Sequence, residues 1–159
     1  MMRFTTLILA LVAVLVAGCG FHLQGTVPIV GDLQHLTLQV TDRQSDFINA
    51  MQRNLRSAGV QVGPGSETVL VIERDELLER VASVSARNLP REYELTYSVT
   101  FSVKFRGELR VASEQVSVTR DFSFDERLAL AKEREREQLR ATLAEEAAGI
   151  VLQRLASLR

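Results

Sequence analysis

The stretch YELTYSVTFSVKF, residues 93–105, decides the fold, because hydrophobic and polar side chains alternate along all of it. The hydrophobic positions are Tyr93, Leu95, Tyr97, Val99, Phe101, Val103 and Phe105. Successive side chains of a β-strand point to opposite faces of a sheet, so this alternation predicts a long strand with one buried face. The opposite face should be polar, carrying Glu92, Glu94, Thr96, Ser98, Thr100, Ser102 and Lys104.

Strands are also predicted on both sides of this stretch. Gly107 indicates a hairpin turn, and the hydrophobic phase of the return strand slips after Val111, which predicts a β-bulge near residues 112–115. Upstream, HLTLQV at residues 35–40 alternates as a half-buried strand. Residues 69–72 are strand-like, whereas residues 73–80 fit either a helical turn or a continuing strand. We favour one long, exposed strand there.

Two helices frame these strands. Met51, Leu55 and Ala58 recur at helical spacing, with Ser45 or Asp46 as N-cap and Gly59 after the C-terminus. Asp125 is predicted to cap a longer C-terminal helix. Its hydrophobic face contains Leu139, Leu143, Ala147, Ile150, Val151, Leu155 and Leu158. The alternating charges of KEREREQ at residues 132–138 are typical of a solvated helix face.

The element order is therefore β-α-β-β-β-α, and the fold class is α+β. Two helices on one face of a mixed, roughly four-stranded sheet would bury every hydrophobic stripe. We assign residues 35–159 to a single domain and residues 19–34 to a tether in front of it.

The first residues have the pattern of a targeting signal. Arg3 precedes a hydrophobic run over residues 7–17, which is too short for a membrane span of about 20 residues. The run leads through Ala17 and Gly18 directly into Cys19, the only cysteine. This is the lipobox pattern of bacterial lipoproteins, so residues 1–18 are predicted to be a signal peptide and Cys19 to carry a diacylglycerol and an acyl chain. The alternative is a buried free cysteine.

The residue after the anchor indicates a destination. Gram-negative lipoproteins that stay in the inner membrane usually have an aspartate there, whereas this chain has Gly20. We therefore expect an outer-membrane lipoprotein on the periplasmic side. With its one thiol acylated, the mature chain has no disulfide, so its stability must come from a hydrophobic core.

Composition and motifs argue against several function classes. The formal net charge is −1, which makes nucleic acid an unlikely partner. His22 and His35 lie outside any pattern of catalytic or metal-ligating residues, and there is no Cys/His cluster with metal-ligand spacing, phosphate loop or nucleophile elbow. We expect no enzyme, no metal and no cofactor beyond the lipid on Cys19.

Three segments together resemble one family. They are CGFHL at residues 19–23, ASVSARNLPREYEL at residues 82–95 and RDFSFDERLALAKEREREQL at residues 120–139. In this order they resemble the lipopolysaccharide-assembly lipoproteins, LptE. The resemblance implies two helices on a four-stranded sheet. It also implies a protein that plugs the outer-membrane barrel LptD, contacts lipopolysaccharide and assists its assembly at the outer membrane.

The resemblance also implies basic lipopolysaccharide-binding residues in two places. Lys132 matches the position in the ALAK start of the last helix. In the loop before EYEL, an alignment without gaps places Ala86, and the nearest arginine is Arg87; Arg91 is a further candidate. The competing interpretation is that the arginines are solvated loop charges and Lys132 an ion-pair partner on the helix.

Two other functions remain open. One is a lipid-anchored periplasmic scaffold that binds a soluble partner or peptidoglycan. A free sheet edge or an exposed hydrophobic patch would favour it. The other is a lipid-anchored hydrolase, which would require a carboxylate of strongly raised pKa in a pocket.

Overall fold

The computed structural model describes residues 31–158, so Cys19 and most of the expected tether lie outside the described residues. A short 3₁₀ turn precedes the first strand, and another precedes the last helix. In chain order the regular elements are β1 (His35–Val40), α1 (Asp46–Ser57), β2 (Gln61–Val62), β3 (Thr68–Val84), β4 (Pro90–Phe105), β5 (Glu108–Ser123) and α2 (Ala129–Ala156). The predicted order is confirmed, with the two-residue β2 as an addition.

The strands form one mixed sheet in the order β2-β1-β3-β4-β5. β1 runs parallel to both β2 and β3, while β3, β4 and β5 form an antiparallel meander. The α+β class is therefore confirmed. After β2 the chain crosses to the other side of β1 and forms β3 there, which places β3 in the middle of the sheet and β4 beside it.

The alternating residues of β4 form the floor of the core. Leu95, Tyr97, Val99, Phe101 and Val103 are all buried, as predicted. Residues of both helices join them in one hydrophobic cluster, including Phe47 and Met51 of α1 and Leu143, Val151 and Leu155 of α2. The hydrophobic stripes of two helices and a sheet thus share a single core, as the sequence pattern required.

The ends of α1 are those that its sequence predicts. Ser45 is the N-cap, and its Oγ accepts a hydrogen bond of 3.1 Å from the backbone N–H of Ile48. This bond satisfies one of the amides that lack an intrahelical partner. After the helix, Gly59 has φ +79°, a left-handed conformation that a residue without Cβ adopts at little cost.

α2 is covered by the core along only its second half. Its buried residues all lie between Leu143 and Leu155. Alanines at three of these positions allow a close approach: Ala144, Ala147 and Ala148. The expected burial of Ile150 is wrong, since this side chain is 42% exposed. α2 packs closely against the core through these three alanines. The neighbouring stripe of the helix, which contains Ile150, therefore faces the β5 side and stays exposed.

Two irregularities divide the meander. β1 pairs with β3 only as far as Ile72, and the β3–β4 register shifts between Ile72 and Arg74. β3 nevertheless continues as a strand to Val84, which confirms the long, exposed strand. The β4–β5 register shifts at residues 112–113, where the sequence predicts a bulge. Beyond these bulges, β3, β4 and β5 continue as a three-stranded ribbon.

Candidate functional site

The far end of this ribbon carries the basic residues that the sequence singles out. We call it the distal end, and it consists of the β3–β4 turn (residues 85–89) and the connection from β5 into α2 (residues 124–128). The turn is closed by a hydrogen bond of 2.8 Å from the Ser85 amide to the Leu89 carbonyl. Asn88 sits at φ +60°, a conformation that asparagine tolerates better than most residues.

An open groove of about 620 Å³ lies between these two segments. Arg87, Leu89 and Arg91 contribute one wall, and Phe124 and Arg127 the other. The amide of Phe124 donates a 2.8 Å hydrogen bond to the Arg91 carbonyl, which joins the walls. The structure therefore brings the two loop arginines together in one groove and adds a third arginine, Arg127.

The charges of the groove are available to a ligand. Within residues 31–158, neither Arg87 nor Arg91 makes an ion pair, and both are exposed. Three acids share the groove lining: Glu92 accepts a 2.7 Å hydrogen bond from Ser83, Asp125 caps the amide of Arg127 at 3.0 Å and pairs with its guanidinium at 3.5 Å, and Glu126 is the third. Two exposed guanidinium groups can each present a flat fork of donors to a phosphate or a carboxylate.

Lys132 occupies a different environment from the arginines. Its side chain is only 17% exposed, and its Nζ lies 2.9 Å from Glu135 and 3.3 Å from the Ser123 hydroxyl. The ammonium also sits 5.4 Å from the centre of the Phe122 ring. Lys132 is not part of the groove wall, but Ser123 is, so the lysine stands directly behind the groove.

The aromatic residues beneath Lys132 support the distal end. Tyr93 of β4 meets Phe122 with ring centres 6.3 Å apart and Phe124 at 6.1 Å in an edge-to-face arrangement. This cluster extends the hydrophobic core along β4 and β5 towards the distal end. It holds the last residues of β5, and therefore the groove wall, against β4.

An ion-pair cluster fixes the start of α2 to β3. Arg136 donates to Glu133 on its own helix at 2.7 Å and to Glu79 of β3 at 3.2 Å. The hydrogen bond with Glu133, followed by the charge of Glu79, raises the pKa of Arg136. Since α2 has no buried residue in this half, such polar contacts orient it here.

Exposed hydrophobic side chains lie on the segments that form the groove or directly beside them in the chain, and Leu89 is part of the groove lining. Leu130 is 86% exposed, and Val84, Leu89 and Leu128 are about half exposed. The distal end thus combines cationic and hydrophobic surface, as a partner with both anionic and apolar parts would require. The sequence-based analysis missed Arg127, Leu128 and Leu130. Their signal was the string ERLAL, where leucines that match no buried stripe stand beside a charge.

Residues 31–158 contain no group of three or more His, Cys, Asp or Glu side chains placed to hold a metal ion. Over the same residues, no helix combines the length and the hydrophobicity that crossing a membrane would need.

Fold and site together define a small α+β protein with a charged and hydrophobic binding end. The family model LptE, described as lipopolysaccharide-assembly, matches residues 33–155. The chain therefore belongs to the LptE family. Its family is defined by an assembly process rather than by a reaction.

Individual relatives agree with this assignment. The LPS-assembly lipoprotein LptE of Pectobacterium atrosepticum is 29% identical over 96% of this chain and 85% of its own length. The LPS-assembly lipoprotein LptE of Yersinia pestis is 32% identical over 96% of this chain and 75% of its own length. The crystal structure of rare lipoprotein B from Shewanella oneidensis superposes with a TM-score of 0.70 at 30% identity, covering 77% of this chain and 94% of that one. The solution structure of a lipoprotein B from Nitrosomonas europaea shares the fold. It superposes with a TM-score of 0.73 at 21% identity, covering 87% of this chain and 91% of that one.

Proposed function

We propose that this protein is an outer-membrane lipoprotein that plugs the barrel LptD and contacts lipopolysaccharide with its distal end. The observation that carries the proposal is the groove in which Arg87 and Arg91 lie beside the exposed Leu89. Membership of the LptE family supports the assembly role.

The chemistry of lipid A suits this end of the molecule. Its phosphates would take charge-assisted hydrogen bonds from Arg87, Arg91 and Arg127. Its acyl chains would cover part of the exposed surface of Leu89 and Leu130, and each buried methylene contributes about 0.8 kcal/mol. A soluble anion would use only the first of these contacts, so the leucines favour an amphipathic ligand.

Lys132 has a supporting part in this proposal. Its ammonium is paired with Glu135 and largely covered, so it must exchange that carboxylate for a phosphate before it can bind the ligand. Until then its charge raises the electrostatic potential behind the groove. We therefore expect Arg87 and Arg91 to contribute more to the affinity than Lys132.

The plug role is supported by the outer face of the sheet. Hydroxyl groups pair across β4 and β5 on this face, with Thr96 and Thr119 at 3.0 Å and Ser98 and Ser117 also at 3.0 Å. The lumen of a large outer-membrane barrel is polar. A face made of short hydroxylated side chains can approach such a wall closely and exchange hydrogen bonds with it.

The anchor is the remaining part of the proposal. We propose that Cys19 carries the lipid and that residues 20–30 connect it to the domain on the periplasmic side of the outer membrane. Eleven residues span at most about 40 Å when fully extended. The domain would therefore stay close to the membrane that holds a barrel partner.

The lipid contact can be tested by binding of purified protein to lipopolysaccharide. Arg87→Ala combined with Arg91→Ala should weaken binding about a hundredfold or more, since each lost charged hydrogen bond contributes about 1.5–3 kcal/mol. Arg43→Ala, an exposed arginine in the loop before α1, is the matched control and should leave the affinity unchanged. Equal loss in both variants would mean that the positive charge, rather than the groove, attracts the lipid.

The plug can be tested by gentle detergent extraction of the tagged protein from its own outer membranes. A single large β-barrel at a one-to-one ratio is the expected partner. Recovery with soluble periplasmic proteins alone would instead favour a lipid-anchored scaffold. One observation gives that alternative weight: among residues 31–158, β5 pairs only with β4 and leaves an open sheet edge.

A further inference from the structure

The formal charges in the lining of the distal groove are balanced. The lining contains three arginines and three acids: Arg87, Arg91, Arg127, Glu92, Asp125 and Glu126. A phosphate that enters the groove therefore meets as many negative as positive groups. Because these charges offset one another, the attraction of an anion to the groove depends strongly on the next charged groups outside its lining.

Lys132 is the charged group directly behind the lining. Its Nζ donates a 3.3 Å hydrogen bond to the hydroxyl of Ser123, which is part of the groove lining. The ring of Phe122, with its centre 5.4 Å from Nζ, gives the ammonium a second contact on β5. These two contacts place a positive charge beside the Ser123 end of the groove, where it would attract an anion.

Glu135 offsets this positive charge. Its carboxylate lies 2.9 Å from Nζ of Lys132, so the groove and the lysine together return to a formal charge of zero. An ammonium has three N–H donors, and Glu135 accepts one that a phosphate oxygen would otherwise accept. Glu135 and a phosphate in the groove are therefore competitors for the same group.

The contact with Lys132 is the one polar side-chain contact that Glu135 makes within residues 31–158. By contrast, Glu146 of the same helix binds Arg120 and so attaches α2 to β5. The Glu135 side chain is 54% exposed, and an exposed ion pair within one helical turn adds little to stability. The stability of the fold therefore does not account for a carboxylate at this position.

The ammonium would keep its position if this carboxylate left. Ser123 and Phe122 contact Lys132 from β5, and neither contact involves Glu135. A phosphate in the groove can therefore replace the carboxylate without a new arrangement of the lysine side chain. Such preorganisation lowers the entropy cost of binding, so the carboxylate is the main obstacle to a contact between Lys132 and the ligand.

We propose that Glu135 limits the affinity of the distal end for a phosphorylated lipid by competing with the lipid phosphate for Lys132. This inference rests on the proposed contact with lipopolysaccharide and adds a residue that opposes this contact. Differences in affinity between variants of one binding site arise mostly in the dissociation rate. Glu135 therefore promotes release of the lipid, which a protein that passes lipid onward requires.

Two substitutions that each remove one negative charge from α2 test the competition. In the full-length lipoprotein, Glu135→Gln should tighten binding to purified lipopolysaccharide about fivefold or more and slow its dissociation by a similar factor, since the ammonium gains a charged hydrogen bond. The matched control is Glu137→Gln, at an exposed residue of the same helix that makes no ion pair within the described residues. This control should change neither quantity.

The gain must depend on both competing groups. Glu135→Gln should have no effect in a chain that also carries Lys132→Ala, and it should have none on binding to dephosphorylated lipopolysaccharide. A gain that persists in either experiment would contradict the proposal. The urea midpoint of Glu135→Gln should equal that of the unsubstituted chain, because the pair is exposed.

The other outcomes separate this inference from the proposed function. Equal gains from Glu135→Gln and Glu137→Gln would show that the total charge of the chain sets the affinity, and the competition would be rejected. If Glu135→Gln gives no gain while binding still depends on Arg87 and Arg91, this inference fails and the proposed lipid contact stands. If the unsubstituted chain does not bind lipopolysaccharide at all, both fail together.

Discussion

The two halves of the meander differ in what covers them. Up to Ile72, β3 is an interior strand between β1 and β4, and the helices close the core above it. From Arg74 onwards β3 is an edge strand, and the first half of α2, before Leu143, contains no buried residue. Hydrophobic burial holds the first half and continues into the second through Leu95, Tyr97 and Val99 of β4, whereas the far end of the second half is held by ion pairs and a small aromatic cluster.

The comparison shows how one sheet can serve two purposes. Burial in the first half stabilises the whole domain, so the second half can leave charges and leucines exposed for a ligand. The bulge beside Glu73 marks the change, because there the alternation of β3 passes from core residues to polar ones. Substitutions in the two halves should therefore differ in kind as well as in size.

The largest difference is expected for hydrophobic truncation. Phe101→Ala removes a ring that is 0% exposed in the covered half and should lower the free energy of unfolding by about 3–5 kcal/mol. Leu78→Ala, at a side chain that is 63% exposed in the distal half, should change it by less than about 0.5 kcal/mol. Urea unfolding followed by circular dichroism measures both. Similar losses would show that the two halves are one cooperative core.

An intermediate effect is expected at the junction between the halves. The hydroxyl of the buried Tyr97 donates a 2.6 Å hydrogen bond to Asp75, whose other carboxylate oxygen is buried without a partner in residues 31–158. Burial and this carboxylate raise the pKa of Tyr97. Tyr97→Phe leaves Asp75 unsatisfied and should cost about 1–3 kcal/mol in chemical unfolding.

The matched control for Tyr97 lies on the same strand. Tyr93 is part of the aromatic cluster, and its hydroxyl makes no hydrogen bond within the described residues. Tyr93→Phe should therefore be close to neutral. If the two substitutions cost the same, the bond to Asp75 contributes nothing and the loss reflects only the removal of a hydroxyl.

The smallest effect is expected at the two bulges. The Ser113 hydroxyl, at the β5 bulge, donates a hydrogen bond to Glu73 at the β3 bulge. This bond and a second one from Ser102 lower the pKa of the Glu73 carboxyl below its usual 4.5. Because the folded value lies below the unfolded one, the stabilisation is present above the unfolded pKa and is lost as the pH falls through the folded value. Ser113→Ala should raise the Glu73 pKa towards its usual value in an NMR titration, and Ser117→Ala should not.

Much of this molecule could be predicted because its signals are local. The strand at residues 93–105, the cap at Ser45 and the bulge near Ala112 each depend on neighbours within a few residues, and all three are found. The loop arginines could be selected for the same reason, since they flank a turn. Their partner in the groove, Arg127, could not, because it comes from a segment more than 30 residues away.

The sequence by itself determined the identity of the elements and the face that each one buries, since periodicity and capping are properties of short segments. The tertiary structure decided which strands are neighbours and where along the sheet the helices stop burying it. It placed Lys132 behind the groove and left Ile150 exposed above β5. These outcomes depend on how α2 meets a sheet formed by distant parts of the chain, and no local pattern encodes that distance.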